Sequence, residues 1–200
     1  MKKVRVAVLI SGRGSNMISL VESAKDTSYP ADISLIISNN PNADGVKSAQ
    51  KRGIPTHIVD NKFYESREEH EQAIHELLIA YDIDIICLAG YMRVLTQFLV
   101  SAWLGRILNI HPSLLPLFPG LNTHKRALDS GIQVHGCTVH FVNSQLDGGL
   151  ILTQSTVPVL PDDDIRTLAY RVLEMEHILY PKTLALVATR KLSYLSKTRR

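Results

Sequence analysis

Cysteine is scarce: Cys87 and Cys137 are the two in 200 residues, and neither belongs to a C-x-x-C pair. Both sit in apolar, strand-like runs, which reads as buried reduced thiols of a cytoplasmic protein rather than a disulfide. No apolar run approaches the length of a membrane span. The opening "MKKVRVAVLISGRGSN" has the basic start and apolar run of a signal peptide. Arg5 interrupts that run and no small-residue cleavage site follows, so a first β-strand is the better reading. Aromatics are few, at 6%, and no basic stripe is interleaved with them, so nucleic acid is not an expected partner. The formal charge of +3 gathers at the ends, in Lys2, Lys3 and Arg5 and in Lys191, Lys197, Arg199 and Arg200, which read as solvated termini. Catalytic signatures are missing too. No G-x-S-x-G elbow occurs, and His111, His124, His135 and His140 lack zinc spacing, so neither a serine hydrolase nor a metal site is expected.

What is present is an alternation of buried strands and helices. Apolar runs at 4–11, 31–38, 54–60 and 83–90 read as strands, and 15–24, 42–53 and 66–82 as helices. Ser66 and Glu69 have capping-box spacing, followed by the stripe Ile74, Leu77, Leu78 and Tyr81. Strands alternating with helices predict a mostly parallel open sheet covered on both faces, an α/β fold. Beyond Gly105, 106–111 reads as a short strand, Pro112, Pro116 and Pro119 impose an irregular loop, and 135–142 with 149–159 form a hairpin. A long helix is expected from Asp162 to about Arg190, acidic in its first turn and kinked or split at Pro181. The 200 residues are expected to form one domain, residues 1–100 binding phosphate or nucleotide and residues 101–200 completing the site.

Two constellations carry chemistry. "SGRGSN" (11–16) follows the first strand and opens the first helix. Gly12 and Gly14 permit a tight turn, free amides at the helix start can hold an anion, and Ser15 and Asn16 add donors. A dinucleotide fingerprint would need a third glycine where Met17 stands and an acid where the second strand ends in Ser38-Asn39-Asn40. A P-loop lysine is missing as well, so a single phosphate fits best. The alternative is a plain helix cap after a glycine turn.

The second constellation is "NIHPSLLP" (109–116) with "LDGG" (146–149). Residues i and i+2 of a strand share a face, which sets Asn109 beside His111. Acyl transfer to an amine needs a donor for the tetrahedral oxyanion and a group that moves a proton near neutral pH. An amide supplies the first and an imidazole the second, and a carboxylate such as Asp147 would hold the imidazole and favour its charged form. The spacing leaves open that Asn109 caps a loop, that His111 is a satisfied core histidine and that Asp147 is a turn residue.

"SGRGSN", "LAGYMRVL" (88–95), "LNIHPSLLP", "HGCTVHFV" and "LDGG" occur in an order and spacing that resemble the phosphoribosylglycinamide formyltransferase family, over nearly the whole chain. The resemblance implies a Rossmann-like formyltransferase fold and formyl transfer from 10-formyltetrahydrofolate to the amine of 5-phosphoribosylglycinamide in purine synthesis. It implies a cytoplasmic monomer or homodimer with small-molecule substrates, no bound cofactor and no metal. It assigns Asn109, His111 and Asp147 to catalysis, with Asn109 also at the folate, and Gly14, Ser15 and Asn16 to the substrate phosphate. Glu176 falls to the ribose, and Arg67, Met92, Arg93, Val94 and Leu95 to the folate. Glu176 falls on the apolar stripe Ile165, Leu168, Val172 and Leu179, where a buried carboxylate needs a partner. Arg67 falls in a first helical turn, where the dipole disfavours a cation, so a ligand carboxylate or a salt bridge to Glu71 would explain it.

Arg13, Leu117, Asn122 and Leu173 depart from the family pattern, which touches affinity and not the reaction. The rival readings are a methionyl-tRNA formyltransferase, expected to carry a further RNA-binding domain, a folate-hydrolysing deformylase, expected to carry an added N-terminal domain, and a non-catalytic ribose-phosphate-binding module.

Overall fold

Seven strands make one sheet: β1 (Val4–Ile10), β2 (Ala31–Ser38), β3 (Thr56–Ile58), β4 (Ile85–Leu88), β5 (Ile107–His111), β6 (Val134–Phe141) and β7 (Ile151–Pro158). The computed structural model describes residues 3–197, with side chains as far as Arg190. Lys2, Arg199 and Arg200, and the side chains of Lys191 and Lys197, lie outside the described residues. The spatial order is β3-β2-β1-β4-β5-β6-β7. The first five strands run parallel, and β6 and β7 run antiparallel to their neighbours.

The period of two explains how one apolar run serves two cores. Val6, Val8 and Ile10 of β1 pack with Met17 and Leu20 of helix α1 (Ser15–Ala24) and with Tyr180 and Leu184 of α6 (Ile165–Lys197). Ala7 and Leu9 point the other way, onto Ile74 and Leu78 of α3 (Arg67–Ala80) and Leu99 of α4 (Gln97–Ala102). A third cluster joins α5 (Thr123–Asp129) to the hairpin and α6 through Ala127, Cys137, Val157, Leu168 and Val172. The cover on both faces is what a parallel sheet requires. The remaining α-helix, α2 (Asp44–Lys51), packs beside α1, and a 3-10 turn at Asn61–Phe63 precedes α3.

Several sequence expectations are corrected. Pro181 neither splits nor ends α6, which runs unbroken through it. A mid-helix proline costs about 3 kcal/mol, and packing on both sides of it outweighs that. Tyr180 is fully buried, its hydroxyl 3.1 Å from the carbonyls of Leu88 and Leu108, and Tyr29 donates to the Pro181 carbonyl at 2.6 Å. The acidic run does not lie in the first turn of α6 but precedes it. Asp164 accepts from the Arg166 and Thr167 amides as a cap, and Asp163 pairs with Arg171. Ser66 caps α3, yet Glu69 reaches back to the Glu65 amide instead of completing the box with Ser66. Arg5 is not a solvated end: its guanidinium donates to the Tyr81 carbonyl at 2.9 Å. Helices α4 and α5 were not legible beforehand, the second because it starts inside the glycine- and proline-marked loop. Cys87 and Cys137 are both free and buried, and burial pushes each thiol up to about 12. No helix among the described residues is long and apolar enough to cross a membrane.

Candidate active site

The strand order reverses between β1 and β4, and the carboxyl ends of an open parallel sheet form a crevice at such a point. The turn after β1 and the stretch after β4 meet there: the Met92 amide donates to Ser11 Oγ at 2.8 Å. Ser11 Oγ in turn donates to Asn39 Oδ1 at 2.6 Å, and Asn40 Nδ2 donates to the Ser11 carbonyl at 3.1 Å.

Next to the crevice, β5 ends in Asn109 and His111. The antiparallel register sets Asn109 opposite His140 and His111 opposite Thr138, so four side chains share one face. Asn109 Nδ2 donates to His140 Nε2 at 3.2 Å. His140 Nδ1 lies 2.8 Å from the Phe141 carbonyl, which can only accept, so Nδ1 carries the proton and Nε2 is free to accept. Burial lowers the His140 pKa, which favours that neutral ring. One amide hydrogen of Asn109 is thereby spent on His140, and the second is available to a ligand.

Asp147 comes in from the β6–β7 connection. Its backbone is left-handed, with φ 51°, and its Oδ2 accepts from the Gly120 amide at 2.8 Å. The same Oδ2 is 3.4 Å from His111 Nδ1, and Oδ1 is 3.7 Å from His140 Nε2. His111 Nε2 donates to the Phe118 carbonyl at 3.0 Å, so both of its ring nitrogens face oxygen. The loop that follows β5 hangs on Thr138. Its hydroxyl donates to the Ser113 carbonyl at 2.6 Å and accepts from the Leu115 amide at 3.0 Å. Asp147, distant in sequence, is therefore brought to His111, and Asn109 joins the pair through His140. Among the described residues no group of three or more metal-ligating side chains is gathered in a metal-holding geometry.

The glycine turn is as its sequence requires. Gly14 has φ 74°, and a Cβ there would come within 2.9 Å of the Gly45 Cα. The start of α2 thus leans on the turn, and the Gly45 amide donates to the Gly12 carbonyl at 3.1 Å. Asn16, 8% exposed, donates from Nδ2 to Glu176 Oε2 at 2.6 Å, which joins the glycine turn to α6. Burial pushes the Glu176 carboxyl up to about 7, with the Asn16 contact pulling the other way.

The residues expected at the folate are less tightly gathered. Met92 and Val94 are exposed, and Arg93 and Leu95 half-buried, in the irregular stretch after β4. That stretch is pinned to α3 by Thr96, whose amide and hydroxyl both donate to the buried Glu71 carboxylate, at 2.8 and 2.5 Å. Glu71 therefore does not pair with Arg67, and the expected alternative of a salt bridge between them fails. Arg67 is exposed at the first position of α3.

The profile of the formyl transferase family matches residues 4–184. The chain belongs to the formyl transferase family. Among its relatives is the trifunctional purine biosynthetic protein adenosine-3 of Gallus gallus, 48% identical over 94% of this chain. The chain spans 19% of that relative, about a fifth of its length. The phosphoribosylglycinamide formyltransferase of Escherichia coli is 39% identical over 94% of this chain and 89% of its own. The crystal structure of the enzyme of that name from Brucella melitensis superposes with a TM-score of 0.91 and 50% identity, over 94% of this chain and 96% of the other.

Within this formyl transferase the departing residues lie on four separate segments. Arg13 is exposed on the glycine turn, Leu117 is exposed after Pro116, Asn122 has φ 58° ahead of α5, and Leu173 is half-buried on α6. Three contributors were missed in the sequence. His140 and Thr138 were visible as alternate residues of "HGCTVHFV", but their relation to Asn109 and His111 needed the strand register. Gly45 stood in "NADGVK", and only the approach of α2 to the turn explains why it lacks a side chain.

Proposed function

We propose that this formyl transferase moves the formyl group of 10-formyltetrahydrofolate to the amine of 5-phosphoribosylglycinamide, in purine biosynthesis and in the cytoplasm. The convergence of Asn109, His111, His140 and Asp147 on one sheet face carries the reading. The amine attacks the formyl carbon, a C–N bond forms, and the carbonyl oxygen becomes an oxyanion. The unspent Asn109 N–H is suited to receive it. Collapse breaks the bond to the folate nitrogen. The amine has lost one proton and the folate nitrogen gains one, so the reaction balances with a single shuttling group. His111 is that group, held by Asp147 at Nδ1, while its Nε2 exchanges the Phe118 carbonyl for substrate. Gly14, Ser15 and Asn16 receive the phosphate at the start of α1, and Glu176 receives the ribose hydroxyls. Met92, Arg93, Val94, Leu95 and Asn109 border the folate, and Arg67 answers the carboxylate of its tail. All of these residues belong to one domain that needs only its two small-molecule substrates.

The names of the Escherichia coli and Brucella melitensis relatives support this acceptor over a tRNA. The test is an absorbance assay with a 10-formyl folate and glycinamide ribonucleotide. Change that requires both substrates is expected. Change with the folate alone would make the protein a deformylase, and turnover only with a charged tRNA would replace the acceptor. Ribose-phosphate binding with no turnover would leave a binding module.

A further inference from the structure

The Asn16–Glu176 contact is poorly described as an amide donating to a carboxylate. Both side chains are buried, at 8% and 6% exposed, and Glu176 has no salt-bridge partner among the described residues. A buried carboxylate without a cation carries a large desolvation cost, which one amide N–H does not offset. The separation of 2.6 Å is short for N–H···O, which clusters near 2.9 Å, and ordinary for O–H···O. The other end of the Asn16 amide is buried with no partner at all. The two ends of an amide have the same shape, so the hydrogens decide which one meets the carboxyl.

We propose that Glu176 is a neutral carboxylic acid whose O–H donates to the Asn16 amide oxygen, which leaves the Asn16 NH2 as the unpaired group on the first turn of α1. The arrangement changes the character of the orphaned end. With a carboxylate, the unpaired group is a carbonyl oxygen, which repels an anion. With the acid, it is a donor, which attracts one. Side chains on a helix tilt toward its N-terminus, and Asn16 is the second residue of α1, directly after Gly14 and Ser15. Glu176 is thus a positioning residue for the anion site, and its second oxygen stays free to accept from a ribose hydroxyl. The chemistry couples the ribose position to the phosphate position through one proton. The inference rests on the reading of 11–16 as an anion site.

The surroundings suit an acid that is protonated near neutral pH. From β6 the titratable group that faces Glu176 is the Cys137 thiol, itself buried and pushed up to about 12, hence uncharged. From α1 the facing group is Asn16, which does not titrate. On α6 the neighbouring Glu174 is exposed and His177 half-buried, with burial holding that imidazole toward its neutral form. The Glu176 carboxyl itself is raised to about 7 by burial.

Sulfate is the probe, since its charge does not change over the range that matters, and the Asn16 side-chain NH2 resonances report its binding. Between about pH 6 and about pH 8.5 the affinity of the unaltered protein should fall by roughly tenfold as the acid ionises. Glu176→Gln, which keeps a donor toward the Asn16 oxygen and cannot ionise, should hold the low-pH affinity throughout. The infrared spectrum at the lower pH should contain a buried carboxylic-acid C=O band that Glu176→Gln removes. A flat affinity in the unaltered protein, the same slope in Glu176→Gln, or no acid band would each overturn the proposal. Sulfate that fails to bind at any pH would remove the anion site itself and this proposal with it. Turnover in the two-substrate assay would then show that formyl transfer stands independently.

Discussion

Asn109 and His140 face one another across the antiparallel seam of β5 and β6, with the amide Nδ2 3.2 Å from the imidazole Nε2. The Phe141 carbonyl fixes the tautomer of the ring, and the ring fixes the amide. His140→Ala should therefore leave Asn109 in place but free to turn. The expected loss in kcat is roughly tenfold, short of the ~10²–10³-fold that removing an oxyanion donor costs and that Asn109→Ala should reach. KM for both substrates should hardly move. Steady-state kinetics of the two variants would check this, and an equal loss in both would show that His140 acts directly on substrate.

His111 and Asp147 differ in what else they hold. His111→Ala should lower kcat by about 10²–10⁴-fold, the usual worth of a positioned acid–base group, with little change in KM. Asp147→Asn keeps an oxygen for the Gly120 amide but loses the charge beside His111, so it should lose turnover while keeping its melting temperature. Asp147→Ala should lose both. A loss confined to substrate binding in the histidine variant would sink its catalytic role.

Gly45→Ala should injure a site that it does not touch chemically. The added Cβ would stand 2.6 Å from Ile10 Cδ1 and 3.2 Å from the Gly14 Cα. Overpacking of this kind costs about 1–3 kcal/mol, and here the strain falls on the glycine turn. The expected result is a lower melting temperature and a raised KM for the phosphorylated substrate, with KM for the folate unchanged. Calorimetry and kinetics on one preparation would decide it.

Glu176 gives a pH signature in stability. Its folded pKa of about 7 lies above the ordinary value of 4.5, so the folded state holds the proton more tightly. Its contribution is then fully present below about 4.5 and is lost as pH rises through about 7. The loss is about 3 kcal/mol by linkage. Glu176→Gln should remove that slope and be the more stable form at pH 8. Denaturant unfolding at a series of pH values is the measurement, and parallel curves for the two proteins would refute it.

The sequence alone determined the parallel sheet, because runs such as 6–10 are apolar at every step and can serve two cores only when buried on both faces. It also determined the glycine turn, since Gly14 at φ 74° is a local demand that a side chain would meet with strain. Asn109 and His111 on one strand face followed from the period of two. The tertiary structure decided everything that depends on register and approach. That Asp147 reaches His111, that His140 stands opposite Asn109, and that Gly45 rests on Gly14 are meetings between segments far apart in the chain. No local propensity encodes such meetings. The run of α6 through Pro181 belongs with them, because the Tyr180 and Tyr29 contacts that outweigh a broken helix bond come from the sheet and from the α1–β2 connection. Local rules set which elements form, and packing between distant elements sets which side chains share a site.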